Sequence, residues 1–235
     1  MSSLRPHEPS PGRTAAAEAT VEMMSEGMTV GLGAGRAVWA VIAAIGDRWP
    51  GTPPIEAVVA SEATYAIARA AGIPLRHLDG TIALDLAVDG ADQLDSDLRL
   101  LKGGGGALLR EKIVAAAARS FVVVAEHQKL VDRLGVGVRL PVEVVRFGWR
   151  DTRRRLAGLL PDAERRTVGD EPYQTDEGHY ILDCDVPGDL DLDALDRDVK
   201  LVTGVVEHGL FVGMTERALL GTAAGEVEVI EASGR

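Results

Sequence analysis

The chain has 235 residues, 36 acidic and 25 basic, and its net charge of −11 repels a phosphate backbone and argues against non-specific nucleic-acid binding. A single cysteine, Cys184, excludes an intramolecular disulfide, and no apolar run approaches the roughly 20 residues that a membrane span requires. Hydrophobic residues make up 46% and aromatic residues 4%, so the core of one large α/β domain, or of one domain with a smaller appendage, must be mostly aliphatic.

Residues 1–12 are polar and Pro-rich without a signal peptide's apolar centre, which reads as a loose tail on a cytoplasmic protein. Thr14 to Glu26 carries a helical pattern ended by Gly27. Thr29 to Leu32 reads as a short buried strand, and the turn Gly33-Ala34-Gly35 leads into a helix from Arg36 to about Ile45. A strand at Ile55 to Ala60, a helix at Glu62 to Ala71 and a strand at Leu84 to Val88, ending in Asp89, follow. A helix from Ala107 to Ala118 precedes the apolar strand Phe121 to Ala125. Short apolar runs alternating with helices predict an α/β fold, a Rossmann-like, mostly parallel sheet with helices on both faces. Gly33, Ser61, Asp89 and Glu126 all fall just after strands, at the carboxyl edge where open parallel sheets bind ligands.

The rhythm changes after Val136. Strands at Val142 to Val145 and Tyr180 to Leu182, a basic helical stretch at Arg150 to Leu160 and a helix near Leu192 predict a small α+β lid domain over residues 136–207. Residues 1–135, completed by 208–235, form the expected main domain. Cys184 sits at a strand position and reads as a small buried hydrophobe.

Candidate chemistry concentrates at Ala87–Ala115, AVDGADQLDSDLRLLKGGGGALLREKIVA. A strand delivers Asp89 and Asp92, Lys102 opens a run of four glycines, and Arg110-Glu111-Lys112 lies on the next helix. Each part has a bland explanation: a turn-capping Asp, a solvated ion pair, a flexible linker. Their combination within one β-to-α crossover does not. Four consecutive glycines forfeit conformational entropy, and close approach of main-chain N–H groups to an anion is the usual compensation.

VDGAD followed by LLKGGGGALLREKIVA resembles the signature of the ribose-5-phosphate isomerase A family. The resemblance continues through Val30-Gly31-Leu32-Gly33, Ala60-Ser61, Lys129-Leu130-Val131, Leu140 to Val144, Thr175 to Gly178 and Val205 to Phe211, nearly the whole chain after Arg13. It implies an aldose–ketose isomerase of the pentose phosphate pathway. Glu111 would be the general base of an enediol mechanism, with Lys102, Asp89 and Asp92 as its catalytic partners. Gly33, Ala34, Gly35, Arg36 and Ala37 would form the phosphate loop, with positive charge retained at Arg13. Lys102 and the amides of Gly103, Gly104 and Gly105 would stabilise the oxyanion, and Ser61, Gly90, Ala91 and Lys129 would complete the substrate site. The implied partner is a phosphorylated pentose, and the implied assembly a homodimer or a dimer of dimers. No metal or organic cofactor is required, and the five histidines show no ligand spacing.

The phosphate loop departs from the family. Its usual Gly-Thr-Gly-Ser-Thr is here Gly33-Ala34-Gly35-Arg36-Ala37, so three hydroxyls are lost and one guanidinium is gained. Gln93, Glu126-His127-Gln128-Lys129 and Glu177-Gly178-His179 also depart from the usual pattern. These changes keep open a paralogue that isomerises a different sugar, and a non-catalytic sugar-phosphate sensor. A dinucleotide-binding reading is weakened because the third glycine of G-x-G-x-x-G would fall at Arg36. A coenzyme A transferase-like enzyme is disfavoured by VDGAD and KGGGG.

Overall fold

The computed structural model describes residues 10–188 and 190–232. The first half alternates helices and strands: α1 (Pro11–Glu22), β1 (Thr29–Leu32), α2 (Arg36–Arg48), β2 (Glu56–Val59), α3 (Glu62–Ala70), β3 (Leu86–Asp89), β4 (Gln93–Leu94), β5 (Leu100–Leu101), α4 (Leu108–Ala117) and β6 (Phe121–Glu126). The second half comprises β7 (Leu140–Val144), α5 (Trp149–Leu156), β8 (Glu164–Arg165), β9 (Thr167–Val168), β10 (Glu171–Pro172), β11 (Tyr180–Cys184), α6 (Leu192–Lys200), β12 (Val205–His208), β13 (Leu210–Phe211), β14 (Arg217–Gly221) and β15 (Val227–Glu231).

The main sheet runs β2-β1-β3-β6-β14-β15. Its first five strands are parallel, and β15 returns antiparallel at the edge. The aliphatic runs explain the burial of both faces. Val30, Leu32, Val88, Val122 and Val124 pack with α1 and α2, whereas the alternate residues Ala87, Val123 and Ala125 pack with Val114 and Ala115 of α4. The chain visits β2 on one side of β1 and β3 on the other, which opens a crevice beyond the carboxyl ends of β1 and β3.

A second, antiparallel sheet, β12-β7-β11-β8, encloses its own core with α5 and α6, including Leu140, Val142, Leu182 and Leu195. Cys184 is buried there, and burial pushes its thiol up to about 12. His208 still pairs with Val142 in this sheet. The next strand, β13, pairs with β5 in a short ladder, so the small sheet is stitched to the main body beside Lys102. Among the described residues no helix is long and apolar enough to cross a membrane.

The start of the chain differs from the expected tail. Residues 1–9 lie outside the described residues, but Ser10 caps α1 through its hydroxyl, which accepts from the Arg13 amide at 3.3 Å, and Pro11 opens the helix. Proline is well suited to that position because its missing N–H would be unpaired anyway. The helix also stops at Glu22, short of the expected Glu26. Its first turn rests on the end of β14: a Cβ at Gly221 would lie 1.8 Å from the Gly12 carbonyl oxygen. Gly221→Ala is therefore expected to cost about 1–3 kcal/mol through overpacking. A thermal melt checks this; an unchanged midpoint would refute the tight contact.

Candidate active site

Three strand ends and one crossover build a single cleft. It is lined by the α2 entry (Ala34, Gly35, Arg36, Ala37), the β3 exit (Gly90, Ala91, Asp92), Lys102 with Gly103, Gly104 and Gly105, Glu111 of α4, and Val124, Ala125 and Glu126 of β6, with Arg13 and Lys129 beside them. Glu111 reaches it because of helical spacing: Leu108, Glu111, Val114 and Ala115 form the buried face of α4. A carboxylate on an otherwise apolar face is costly unless it is partnered.

Its partner is Lys102, itself only 3% exposed. The Lys102 ammonium lies 2.9 Å from Asp89 Oδ2 and 3.2 Å from Glu111 Oε2, and donates to the Gly90 carbonyl at 2.6 Å. Asp89 is fixed from its other oxygen, which accepts from the amides of Gly90 at 2.7 Å and Ala34 at 3.2 Å. Gly33 makes this possible, since a Cβ there would sit 1.9 Å from the Asp89 carboxyl carbon. Asp92 accepts from the Gly104 amide at 2.8 Å. That amide is therefore engaged, while the amides of Gly103 and Gly105 have no partner among the described residues.

The competing influences on Glu111 resolve upward. Burial is the main cause, repulsion from Asp89 adds to it, and the Lys102 ammonium offsets only part; together they push Glu111 up to about 8. Burial raises Asp89 too, against the pull of Lys102. Burial pulls Lys102 down, but Asp89 and Glu111 outweigh it and hold the ammonium above the usual lysine range. The site thus pairs a permanently charged lysine with a carboxyl poised near neutrality, the arrangement a general base needs.

The cleft also carries cations. Arg13, Arg36 and Lys129 line it, and the first turn of α2 opens onto it behind Gly35, whose φ of 86° suits glycine. Glu126 stands among these cations: it accepts from Ser10 at 2.5 Å and from Arg13 at 2.7 Å. The Ser10 hydrogen bond leads in holding Glu126 below its usual range, with Arg13 and Arg36 contributing.

Ser61 does not line this cleft. It is the N-cap of α3, accepting from the Thr64 amide at 3.1 Å, and it lines a neighbouring hollow with Tyr65 and Arg110. The spacing Ser61-Glu62-Ala63-Thr64 before a helix carries that capping signal. Sequence reasoning missed Arg166 and Tyr173, which reach the glycine run from the second half of the chain. Among the described residues no cluster of His, Cys, Asp or Glu has the form of a metal site.

The chain is similar to known proteins over most of its length. The family described as ribose 5-phosphate isomerase A (phosphoriboisomerase A) matches residues 56–225. The ribose-5-phosphate isomerase A of Deinococcus radiodurans is 41% identical over 216 residues, covering 91% of this chain and 95% of the relative. That of Roseiflexus sp. is 45% identical over 226 residues, covering 95% and 97%. Ribose 5-phosphate isomerase from Plasmodium falciparum superposes with a TM-score of 0.88 at 31% identity, covering 94% of this chain and 98% of that one. A D-ribose-5-phosphate isomerase solved in complex with phospho-erythronic acid gives 0.87 at 31% identity, covering 93% and 97%. The chain belongs to the ribose 5-phosphate isomerase A family and is an isomerase.

Proposed function

We propose that the chain interconverts ribose 5-phosphate and ribulose 5-phosphate through an enediol, with Glu111 as general base. The observation that carries this reading is the buried Glu111 carboxyl, pushed up to about 8 and 3.2 Å from a charged lysine, in a cleft that Arg13, Arg36 and Lys129 also line.

In the forward direction the open-chain aldose presents its C2–H to Glu111. The carboxylate takes that proton, the C–H electron pair forms the C1=C2 bond, and the carbonyl pair moves onto O1. Lys102 and the unpartnered amides of Gly103 and Gly105 stabilise the resulting oxyanion. O1 then gains a proton, O2 loses one, and Glu111 returns its proton to C1, leaving a ketone at C2. Asp92, held by the Gly104 amide, shuttles hydroxyl protons and assists ring opening. The phosphate lies beside Arg36, which replaces the lost loop hydroxyls with a charge-assisted pair.

Arg36→Ala is expected to raise KM for ribose 5-phosphate roughly 10- to 100-fold while kcat falls less, as loss of ground-state binding requires. An unchanged KM would remove Arg36 from the phosphate site. A second reading, an isomerase for a different sugar, is favoured by the replacement of Thr, Ser and Thr by Ala34, Arg36 and Ala37. Turnover of ribose 5-phosphate beside ribose and other phosphopentoses separates the two. Selective turnover of ribose 5-phosphate supports the first; activity on another sugar alone supports the second.

A further inference from the structure

Resting on the isomerase reading, we propose that Arg166 is a positioning residue that aims the oxyanion-binding amide of Gly105 and the proton-shuttling carboxylate of Asp92. Arg166 lies between β8 and β9 and is not one of the residues that line the cleft. Its Nη1 donates to the carbonyls of Gly103 at 2.9 Å and Gly104 at 3.1 Å. Its Nε and Nη2 donate to the two oxygens of Asp183 on β11, at 2.9 and 2.5 Å. The guanidinium is therefore clamped on one edge by a carboxylate and grips two consecutive peptides with the other. Such a planar fork loses little freedom on binding.

Peptide planarity carries the consequence forward. In a trans peptide the C=O of one residue and the N–H of the next point in opposite directions. Holding the Gly103 carbonyl towards Arg166 turns the Gly104 N–H the other way, where Asp92 Oδ2 accepts it at 2.8 Å. Holding the Gly104 carbonyl turns the Gly105 N–H away from Arg166, and that amide has no partner among the described residues. The next peptide obeys the same logic. The Tyr173 hydroxyl donates to the Gly105 carbonyl at 3.2 Å, and the Gly106 amide closes back onto the Gly103 carbonyl at 3.0 Å. Tyr173 also fills the space a side chain at Gly106 would need: a Cβ there would lie 2.1 Å from its hydroxyl oxygen. A run of glycines, otherwise the most pliable of sequences, is thus held in one conformation by donors from the second half of the chain. Preorganised amides of this kind stabilise an oxyanion without reorganising during the reaction.

The test compares Arg166→Ala, Arg166→Lys and Asp183→Asn with wild type on ribose 5-phosphate. Removing one oxyanion donor typically lowers kcat by about 10²–10³-fold, and misaiming one is expected to cost Arg166→Ala about 10- to 100-fold in kcat with KM nearly unchanged. Added guanidinium ion should restore part of that loss, an outcome that a general loss of packing would not produce. If Arg166→Ala does not fold, Arg166→Lys decides, because an ammonium keeps the charge but not the fork. A lowered kcat at wild-type Tm supports the assignment, and a wild-type kcat overturns it. Changes in KM alone, or a failure of guanidinium to rescue a folded Arg166→Ala, also overturn it. A wild-type protein that turns over beside unaffected variants removes only Arg166; a wild-type protein inactive on every phosphopentose removes the isomerase reading and this inference with it.

Discussion

Glu111→Gln is expected to lower kcat for ribose 5-phosphate by about 10²–10⁴-fold while leaving KM near wild type, the range a positioned general base supplies. The amide keeps the shape of the side chain and removes its basicity. Loss of folding would not explain such a result, because the sign of the linkage runs the other way. With its value raised from 4.5 to about 8, Glu111 in the folded protein holds a proton that the unfolded chain has already released. Ionising it therefore withdraws stability as pH rises through that window. A neutral amide avoids this loss, so the variant's Tm at the upper end of the window should equal or exceed that of wild type. The same reasoning shapes the wild-type pH profile: kcat/KM should climb with pH and level off near 8 as the carboxylate form fills. Appreciable turnover by the variant, or a profile already flat well below that value, would rule out Glu111 as the base.

Lys102→Met is expected to damage both catalysis and stability. Lys102 is the only cation within ion-pair distance of Asp89 and Glu111 among the described residues, and all three are almost fully buried. Breaking a buried pair by removing one partner typically costs about 3–5 kcal/mol, because a charge is left uncompensated. Here the carboxyls can escape by protonation, so the deficit depends on pH. Without the ammonium that pulls them down, both would sit higher still, and the folded state would lose more stability as pH rises above their unfolded values. The Tm difference between variant and wild type should thus be small in mild acid and grow towards alkaline pH. kcat should fall about 10²–10³-fold from loss of oxyanion stabilisation. A Tm difference independent of pH would contradict the electrostatic role of Lys102.

The parallel sheet was legible because short apolar runs, as in Phe121 to Ala125, alternate with helices through the first half of the chain. The grouping of Asp89, Lys102 and Glu111, with Asp92 beside them on the same crossover, was legible because chain order there approximates spatial order. Direction of the Glu111 shift was not, since it depends on how far α4 buries its apolar face against a sheet assembled from distant strands. The two-residue ladders β4, β5 and β13 were also hidden: two residues carry no periodicity, and their pairing joins Leu100-Leu101 to Leu210-Phe211 across more than a hundred residues. Arg166 gave no local signal for a similar reason. Its partners, Gly103 and Gly104, lie 63 and 62 residues away, and one arginine in the Arg165-Arg166 pair looks like a solvated charge. Ser10-Pro11 was readable as a helix start, but the surrounding prolines resembled a tail.

The most direct measurement is the conversion of ribose 5-phosphate in deuterium oxide, followed by NMR with wild-type protein and with Glu111→Gln. The expected result is ribulose 5-phosphate carrying solvent deuterium at C1, since a proton held on a carboxyl can exchange with solvent whereas a hydride passed from C2 to C1 cannot. No ribulose 5-phosphate from wild type, or deuterium entering C1 as fast with Glu111→Gln, would contradict proton transfer through Glu111.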